Sequence, residues 1–333
     1  MKRKTVLVVD GNNFGWRGFG RAPLFYNGQR TEAIFIGLTM LKKYLQAFCP
    51  GECIIAWDGG RDASRTSAYP EYKKKHRMLT DAERAEQDIF FGQLRVLQNV
   101  LTRFGFPQYR LRGREADDVI FTLVAEEMAA SGTMDDLKDY IIVSTDQDYF
   151  QLFDYGSLGN IKVFNPSTEK LNDEKSLTAE MKFPPSYFLY WKAIVGDKSD
   201  NLPGVHGLGP AKALPLLART VEYFEWCGGA AHEPEASAYE GWMKARPELK
   251  QADWEKIATQ FDTFKLMMDL VEFRYMPDEE MKAGFIPGQD LTVAKFQEEF
   301  FAVCAQYGFH SLADKSGGFL PFFEHLIMAK KEK

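Results

Sequence analysis

Five short clusters of carboxylates occur along the chain, and four of them stand at the end of an apolar run. In an open α/β sheet the carboxyl ends of the strands face one crevice. Carboxylates gathered there repel one another and are costly to desolvate, so the cluster is stable mainly when cations neutralise it. All-oxygen ligands of this kind suit Mg²⁺ or Mn²⁺. The sequence therefore predicts metal-dependent phosphate chemistry, with nine candidate metal ligands: Asp10, Asp58, Glu115, Asp117, Asp118, Asp146, Asp148, Asp197 and Asp200.

The composition is that of an ordinary globular protein, with 45% hydrophobic and 26% charged residues in a chain of 333. No apolar run approaches the ~20 residues that a membrane-spanning helix needs. The basic N-terminus precedes an apolar stretch of only Val6 to Val9, which predicts a strand and not a signal peptide. The four cysteines form no CxxC pair and have no nearby histidine that completes a zinc spacing. We therefore expect free thiols and a cytoplasmic protein.

Charge is unevenly distributed along the chain. The net charge is -6, yet Arg61 to Arg114 contains twelve Arg and Lys against six Asp and Glu, a local net charge of +6. A basic segment beside an acidic centre suits an enzyme of phosphodiesters, because the basic part holds the backbone while the acids hold metal. A solvated helical face is the alternative explanation of the basic segment.

Strand and helix patterns alternate in the first half, which predicts an α/β fold with a mostly parallel sheet and helices on both faces. Strands are expected at 4–9, 53–57, 108–111, 140–144 and 161–164, and helices at 31–48, 89–104 and 115–130. From about Thr178 only helices are predicted, at 186–195, 210–219, 254–271 and 293–307. We therefore divide the chain into residues 1–180 and 181–333. The polar residues 59–85 predict a mobile excursion, and 228–247 a surface insertion.

Each acidic cluster also has a local explanation. In E-A-D-D, Glu115 and Asp118 share one face of a first helical turn, where the helix dipole alone favours acids. Asp146 and Asp148 suit an Asx-turn or an N-cap. Asp10 and Asp58 could each be turn residues. The local explanation must hold for every cluster at once, so the joint pattern favours a cation site.

The segment N-L-P-G-V-H-G-L-G-P-A-K predicts a helical hairpin that binds phosphate. Gly204, Gly207 and Gly209 permit a tight turn with positive φ and exposed N–H groups. Pro210 opens a helix whose N-terminus points at this loop, and Lys212 adds a charge one turn in. An ordinary glycine-rich αα-hairpin is the alternative. Asp197 and Asp200 lie just upstream, so the same element would contact the phosphate backbone of a nucleic acid and supply metal ligands.

Taken together, these segments resemble the 5′-nuclease or flap endonuclease superfamily, in the form found in bacteriophages and as the N-terminal domain of bacterial DNA polymerase I. The matching motifs occur in family order over about residues 4–220: VVDGNN, AWDGGR, PEYKKKHR, READDVI, STDQDYFQL and GDKSDNLPGVHGLGPAKA. The resemblance implies a PIN-like nuclease domain over 1–180 with a basic helical arch at about 59–105. A helical DNA-binding region follows over 181–333, with a helix-three-turn-helix (helix-hairpin-helix) element at about 186–220. No polymerase sequence follows, so we expect a free-standing nuclease.

The resemblance also implies two divalent ions, Mg²⁺ with Mn²⁺ as a substitute, and K⁺ as a candidate at the hairpin loop. By motif position the ligands of the first ion are Asp10, Asp58, Glu115 and Asp117. Those of the second are Asp146, Asp148 and Asp200. Asp118 and Asp197 are expected nearby or in an outer shell.

Two departures from the family pattern concern the arch and the hairpin. The family usually has Y-K-x-x-R in the arch, but here Tyr72 is followed by KKKHR. Either Lys73 keeps its place and His76 replaces the arginine, or the pair shifts to Lys74 and Arg77. Pro215 falls inside the helix after the hairpin, where proline normally kinks a helix and would displace its far end.

The expected reaction is two-metal hydrolysis of DNA phosphodiesters, yielding a 5′-phosphate and a 3′-hydroxyl. An arch residue, Lys73 or Lys74, would neutralise developing charge. Tyr72 and Phe90 are candidates for stacking on bases, with core packing as the alternative for Phe90. Expected substrates are DNA 5′ flaps, nicks, gaps and free ends, and RNA–DNA primer junctions, acted on by a monomer in a bacterial or phage-infected cell. Alternatives are a PIN-like endoribonuclease, a non-catalytic DNA-binding protein and a Ca²⁺-binding structural module.

Overall fold

The computed structural model describes residues 3–19, 22–74, 78–130, 137–156, 160–226, 251–314 and 320–331. A seven-stranded sheet lies at its centre, in the order β8-β7-β6-β1-β4-β5-β9, and β2 and β3 form a separate hairpin. The strands are β1 Thr5–Asp10, β2 Phe25–Tyr26, β3 Gln29–Arg30, β4 Glu52–Ala56, β5 Gln108–Tyr109, β6 Asp139–Val143, β7 Ile161–Asn165, β8 Lys170–Asn172 and β9 Phe285–Ile286. Strands β7, β6, β1, β4 and β5 are parallel, while β8 and β9 pair antiparallel at the two edges. The predicted mostly parallel α/β sheet is confirmed.

Strand β1 lies in the middle because it is apolar on both faces. Leu7 and Val9 pack into a first core and Val6 and Val8 into a second, and all four are buried. Successive side chains of a strand point to opposite faces, so a run without alternation requires helices on both. The helices of the first core include α2 and α4, and those of the second include α5.

Helices account for most of the remaining chain. They are α1 Gly11–Phe19, α2 Glu32–Phe48, α3 Ala63–Ala68, α4 Asp81–Arg103, α5 Ala116–Ala130, α6 Glu174–Met181, α7 Phe188–Val195, α8 Pro210–Trp226, α9 Gln251–Thr259, α10 Phe261–Val271, α11 Asp278–Gly284, α12 Val293–Tyr307, α13 His310–Asp314 and α14 Leu320–Lys331. Short 3₁₀ segments are Asp148–Tyr155 and Pro185–Tyr187. None of the helices in the described ranges is long and apolar enough to cross a membrane.

Three predicted boundaries are corrected. Helix α4 begins at Asp81, not at 89, because Thr80 and Glu83 form a capping box at its start. The helix predicted over 254–271 is two helices, with the break at Gln260. Strands do not stop near Thr178, since Ile286 of β9 pairs with Gln108 of β5.

The predicted division near residue 180 does not separate two cores. Phe296, Phe300 and Phe323 of the C-terminal helices belong to the same core as Leu7 and Val9 of β1. Strand β9 extends the sheet from the same part of the chain. The described residues from β9 to the end of α14 therefore help to hold the sheet that carries the acids.

The segment predicted as an arch is helical at both ends. Helix α3 follows Asp58 closely, and α4 begins after a loop that includes Tyr72 and Lys73. Phe90, Leu94, Leu97, Val100 and Leu101 of α4 are buried in the first core. Before Phe90, the side chains of Asp62, Arg65 and Tyr72 are buried as well. The predicted insertion at 228–247 lies outside the described residues.

Candidate metal centre

The carboxyl ends of the parallel strands bring the predicted acids to one edge of the sheet. Asp10 is the last residue of β1, and Asp58 follows β4, which pairs parallel to β1. Asp146 follows β6, on the other side of β1, again in parallel. The chain therefore places acids from separate segments together, as the strand-end pattern predicts.

Asp10 lies at the centre of this edge. Burial, then repulsion from Asp58 and Asp146, raises its pKa to about 7. Asn13 N donates to Asp10 Oδ1 at 3.1 Å, and Ser144 Oγ donates to Oδ2 at 2.9 Å. These two neutral hydrogen bonds orient the carboxylate without neutralising it.

Asp58 is oriented by two donors. Ala116 N, at the start of α5, donates to Oδ1 at 2.9 Å, and Asn12 Nδ2 donates to Oδ2 at 2.7 Å. Burial is the main cause that raises the pKa of Asp58, and the charge of Glu115 adds to it. The first turn of α5 and the turn after β1 thus fix one carboxylate between them.

The E-A-D-D acids divide between two environments. Arg65 Nη1 lies 3.2 Å from Glu115 Oε2 and 2.8 Å from Asp118 Oδ2, so these two acids share a face as predicted. Asp118 is fully buried and also accepts from Arg65 Nη2 at 2.9 Å and Arg274 N at 2.8 Å. Burial, then the charges of Asp118 and Glu115, raises the pKa of Asp117 well above its ordinary value. The geometry gives Asp118 a guanidinium partner, so its predicted place in an outer shell fits better than direct ligation.

Asp146, Asp148, Asp197 and Asp200 form a second group of acids, and Lys192 lies within it. Lys192 Nζ lies 2.7 Å from Asp148 Oδ1 and 2.6 Å from Asp197 Oδ2. Burial, then the charge of Asp146, raises the pKa of Asp148 to about 7. Burial raises the pKa of Asp200 to about 6, although the positive charge of Lys73 acts to lower it.

The two groups of acids face each other. The negative charges of Asp197, Asp146 and Glu115 also raise the pKa of Asp200. Burial raises the pKa of Tyr149 well above its ordinary value, and the charges of Asp10, Asp117, Asp146 and Asp58 raise it further. These acids therefore lie close enough to influence one another's charge.

The region has the donors for hard divalent cations, but basic side chains hold some of its carboxylates. No three His, Cys, Asp or Glu side chains in the described part of the chain surround one point as a bound ion would require. Lys73, Lys192 and Arg65 lie among them as counter-ions. The raised pKa values of Asp10, Asp117 and Asp148 show buried oxygens that these side chains leave incompletely neutralised. The donor chemistry fits Mg²⁺ or Mn²⁺ once the carboxylates turn toward it.

The arch loop brings Lys73 into the centre and leaves Lys74 outside. Lys73 Nζ lies 2.8 Å from Glu115 Oε2 and 3.7 Å from Asp200 Oδ2. Its backbone has a φ of 50°, and its N–H donates to Asp200 O at 2.9 Å. Lys74 pairs with Glu71 at the surface. The predicted Arg77, and His76, lie outside the described residues.

Neither aromatic residue proposed to stack on bases presents a free ring. Tyr72 is 3% exposed, and its hydroxyl donates to Glu115 Oε2 at 2.9 Å. Its ring packs in a third core with residues that include Phe183 and Ala193. Phe90 is fully buried, which agrees with the core alternative. The stacking prediction for Tyr72 is wrong in this structure because its ring lies inside the protein.

The glycine hairpin forms the predicted turn, with one correction. Gly204 and Gly207 have φ values of 67° and 83°, whereas Gly209 has no positive φ. A Cβ on Gly204 would lie 2.5 Å from Ile194 O, so the close approach of two backbone segments requires this glycine. Lys212 is exposed near the loop, with Nζ 3.3 Å from Gly207 O. Helix α8 continues through Pro215 to Trp226, so the proline does not end it.

Sequence reasoning missed the basic side chains that hold the acids. Arg65 reads as one charge of a basic segment, and nothing in its neighbours indicates that it is buried. The burial of Lys192 was predictable, because Lys192 is the only charged residue in the apolar run F-L-Y-W-K-A-I-V. A lone lysine in a buried helix requires acidic partners.

A mostly parallel sheet with acids from several segments at its carboxyl edge, followed by a glycine hairpin between helices, is typical of the PIN-like nuclease class. The family model for the 5′-3′ exonuclease, N-terminal resolvase-like domain, matches residues 5–182. The chain belongs to this 5′-3′ exonuclease family, and the predicted membership is confirmed.

Relatives in sequence agree with that assignment. The chain is 28% identical over 269 residues to a 5′-3′ exonuclease of Aquifex aeolicus, covering 80% of this chain and 83% of that protein. It is 33% identical over 232 residues to DNA polymerase I of Bacillus caldotenax, covering 67% of this chain but 24% of the polymerase. The chain thus spans about a quarter of the length of such polymerases.

Solved structures share the fold at lower sequence identity. The T5 D15 protein co-crystallised with metal ions has a TM-score of 0.60 and 20% identity, covering 81% of this chain and 90% of that one. Human GEN1 in complex with Holliday junction DNA has a TM-score of 0.57 and 10% identity, covering 96% of this chain and 72% of that one. The match extends beyond the sheet into the helical region.

Proposed function

We propose that this protein is a structure-specific 5′ nuclease, a 5′-3′ exonuclease and flap endonuclease that hydrolyses DNA phosphodiesters in replication or repair. One observation carries the proposal: acids from separate segments converge at the strand ends and stay incompletely neutralised. The raised pKa of Asp10 is its clearest sign, because burial and two neighbouring acids cause it. The family's relatives named 5′-3′ exonuclease support the reaction class.

The proposal assigns two Mg²⁺ ions to the two groups of acids. Asp10, Asp58, Glu115 and Asp117 would hold one ion, and Asp146, Asp148 and Asp200 the other. When bound, such ions supply Lewis-acid activation of water and neutralise charge at the leaving oxygen. The fixed orientation of Asp10 by Asn13 and Ser144 limits the rearrangement that binding requires. The metal-bearing T5 structure is consistent with divalent metal use.

Lys73 is the basic residue proposed to meet the scissile phosphate. Its ammonium lies between Glu115 and Asp200, where the two groups of acids approach each other. In that position it would balance negative charge that grows on a non-bridging oxygen in the transition state. Lys74 is directed to Glu71 and does not share this position.

The hairpin around Gly204 and Gly207 is proposed to hold the duplex backbone. Pro210 begins α8 next to the loop, so the positive end of that helix dipole lies beside it. Backbone contacts carry no sequence information, so the enzyme would recognise a junction by shape. The same reasoning admits RNA–DNA primer junctions. A K⁺ ion at Gly207 O would compete with Lys212 Nζ.

A cleavage assay tests the proposal directly. A 5′-flap duplex and a blunt duplex, each labelled at the 5′ strand, are incubated with Mg²⁺ and then with excess EDTA. We expect cleavage near the junction of the flap substrate, a 3′-hydroxyl on the retained product, and no cleavage in EDTA. Absence of cleavage at the junction of the flap substrate, or cleavage that survives EDTA, would contradict the structure-specific metal nuclease.

A further inference from the structure

Lys192 is a buried lysine whose ammonium touches two predicted metal-centre acids. It belongs to α7, is 6% exposed, and places Nζ 2.7 Å from Asp148 Oδ1 and 2.6 Å from Asp197 Oδ2. Its helix neighbours Ala193 and Ile194 are buried in an apolar core. The stem of the side chain therefore has little freedom to withdraw the ammonium from the acids.

The two groups of acids differ in how their own lysine is held. Lys73 stands on a loop, contacts an acid of each group, and has a side chain that is 30% exposed. Lys192 stands inside a helix with a side chain that is 7% exposed. Lys192 is therefore the more buried of the two positive charges, and both of its carboxylate contacts lie in the second group.

We propose that Lys192 is a positioning residue that acts as a resident cation of the second group. It holds Asp148 and Asp197 together and competes with the second divalent ion for Asp148, so that this ion binds more weakly than the first. The inference rests on the proposed function, because it assumes that Asp148 is a metal ligand.

The physical basis is repulsion between neighbouring positive charges. A divalent ion that used Asp148 Oδ1 would share that oxygen with an ammonium already 2.7 Å away. Like charges at such separations repel strongly where water is scarce. Lysine keeps its charge at neutral pH, so the competition does not switch off. A merely structural ion pair would affect stability and leave metal affinity unchanged.

Metal titration of the intact protein without DNA tests the proposal. Free Mn²⁺ is followed by its electron paramagnetic resonance signal. For the wild type we expect one tight and one weak class of bound Mn²⁺. In Lys192→Met the weak class should tighten by about tenfold or more, because one adjacent positive charge is gone. The tight class should keep its affinity.

Two variants serve as controls. Lys198→Met removes the same charge from an exposed position of the same segment and should leave both classes unchanged. Lys192→Arg keeps the charge and should keep the wild-type weak class. If Lys192→Met does not fold, as judged by circular dichroism, Lys192→Gln provides the neutral variant and is judged by the same criterion.

The failures of the two proposals are distinguishable. An unchanged or weakened second class in the neutral variant overturns the role of Lys192 while leaving the nuclease proposal intact. Absence of Mn²⁺ binding in every variant overturns the metal centre itself, and this inference with it. Tightening in both Lys192→Met and Lys198→Met would also overturn it, since net charge alone would then explain the change.

Discussion

Arg65 binds two of the acids at once, and this explains why they can be buried together. Its guanidinium contacts Asp118 through both terminal nitrogens and Glu115 through one of them. Nη2 also donates to Glu272 O at 2.8 Å, which ties α3 to the end of α10. A buried charge without its partner is far more costly than a complete pair.

Replacing Arg65 with Met should therefore destabilise the fold. We expect a loss of about 3–5 kcal/mol, since Asp118 would remain buried without its guanidinium. Urea unfolding in EDTA, followed by tryptophan fluorescence, measures it. Arg61→Met is the matched control, because Arg61 is exposed and should change stability by about 0.5 kcal/mol or less. Similar midpoints for the two variants would contradict the structural role of Arg65.

Asp146 is expected to act in catalysis and not in binding. Its charge contributes to the raised pKa values of both Asp10 and Asp148. Asp146→Asn should lower the cleavage rate by about a thousandfold or more, with DNA affinity nearly unchanged. Single-turnover cleavage and fluorescence anisotropy separate the two effects. Asp154 is an exposed aspartate in the segment that follows, and the control variant Asp154→Asn should cleave at the wild-type rate. Cleavage by Asp146→Asn at the wild-type rate would refute the assignment.

The elements were predictable where local sequence decides them. Val6 to Val9 must be a central strand because both of its faces are apolar. The start of α4 was missed because Asp81 to Asp88 is polar, although Thr80 and Glu83 carry a capping-box pattern. Two-residue β9 depends on its pairing with β5, and nothing in Phe285–Ile286 itself indicates it. The acids were found because they follow strands, whereas the buried partners Arg65 and Lys192 depend on tertiary contacts.

The hairpin is the element proposed to hold duplex backbone, and Lys212 is its exposed charge. Lys212→Ala should weaken DNA binding equally for unrelated sequences. One lost phosphate contact should lower the slope of log K against log salt by about 0.9. Affinities between low and moderate salt measure this slope. Lys175→Ala, on the exposed surface of α6, is the control. A slope equal to that of the wild type would exclude a phosphate contact at Lys212.

At the scale of the whole molecule, folding concentrates acids that repel one another. Asp10 and Asp148 have pKa values of about 7, and Asp200 of about 6, against an ordinary value of 3.8. The folded protein therefore binds more protons than the unfolded chain between these values. Stability without metal should rise as pH falls from 8 toward 5. The lowered pKa of Asp62 opposes this trend only near or below the ordinary value of 3.8.

Divalent cations should counteract this dependence of stability on pH, because they neutralise the same carboxylates. At pH 8 the acids are ionised, so Mg²⁺ or Mn²⁺ should raise the melting temperature most there, while at pH 5.5 protons compete and the rise should be smaller. Calorimetric melting in EDTA and in excess Mn²⁺ at the two pH values gives all four temperatures. Asp10→Asn removes one of the repelling charges, so its EDTA curve should depend less on pH and its melting temperature should respond less to Mn²⁺. A wild-type protein that melts lower at pH 5.5 than at pH 8 in EDTA, with equal metal effects at both, would show that the acids do not repel as the fold places them.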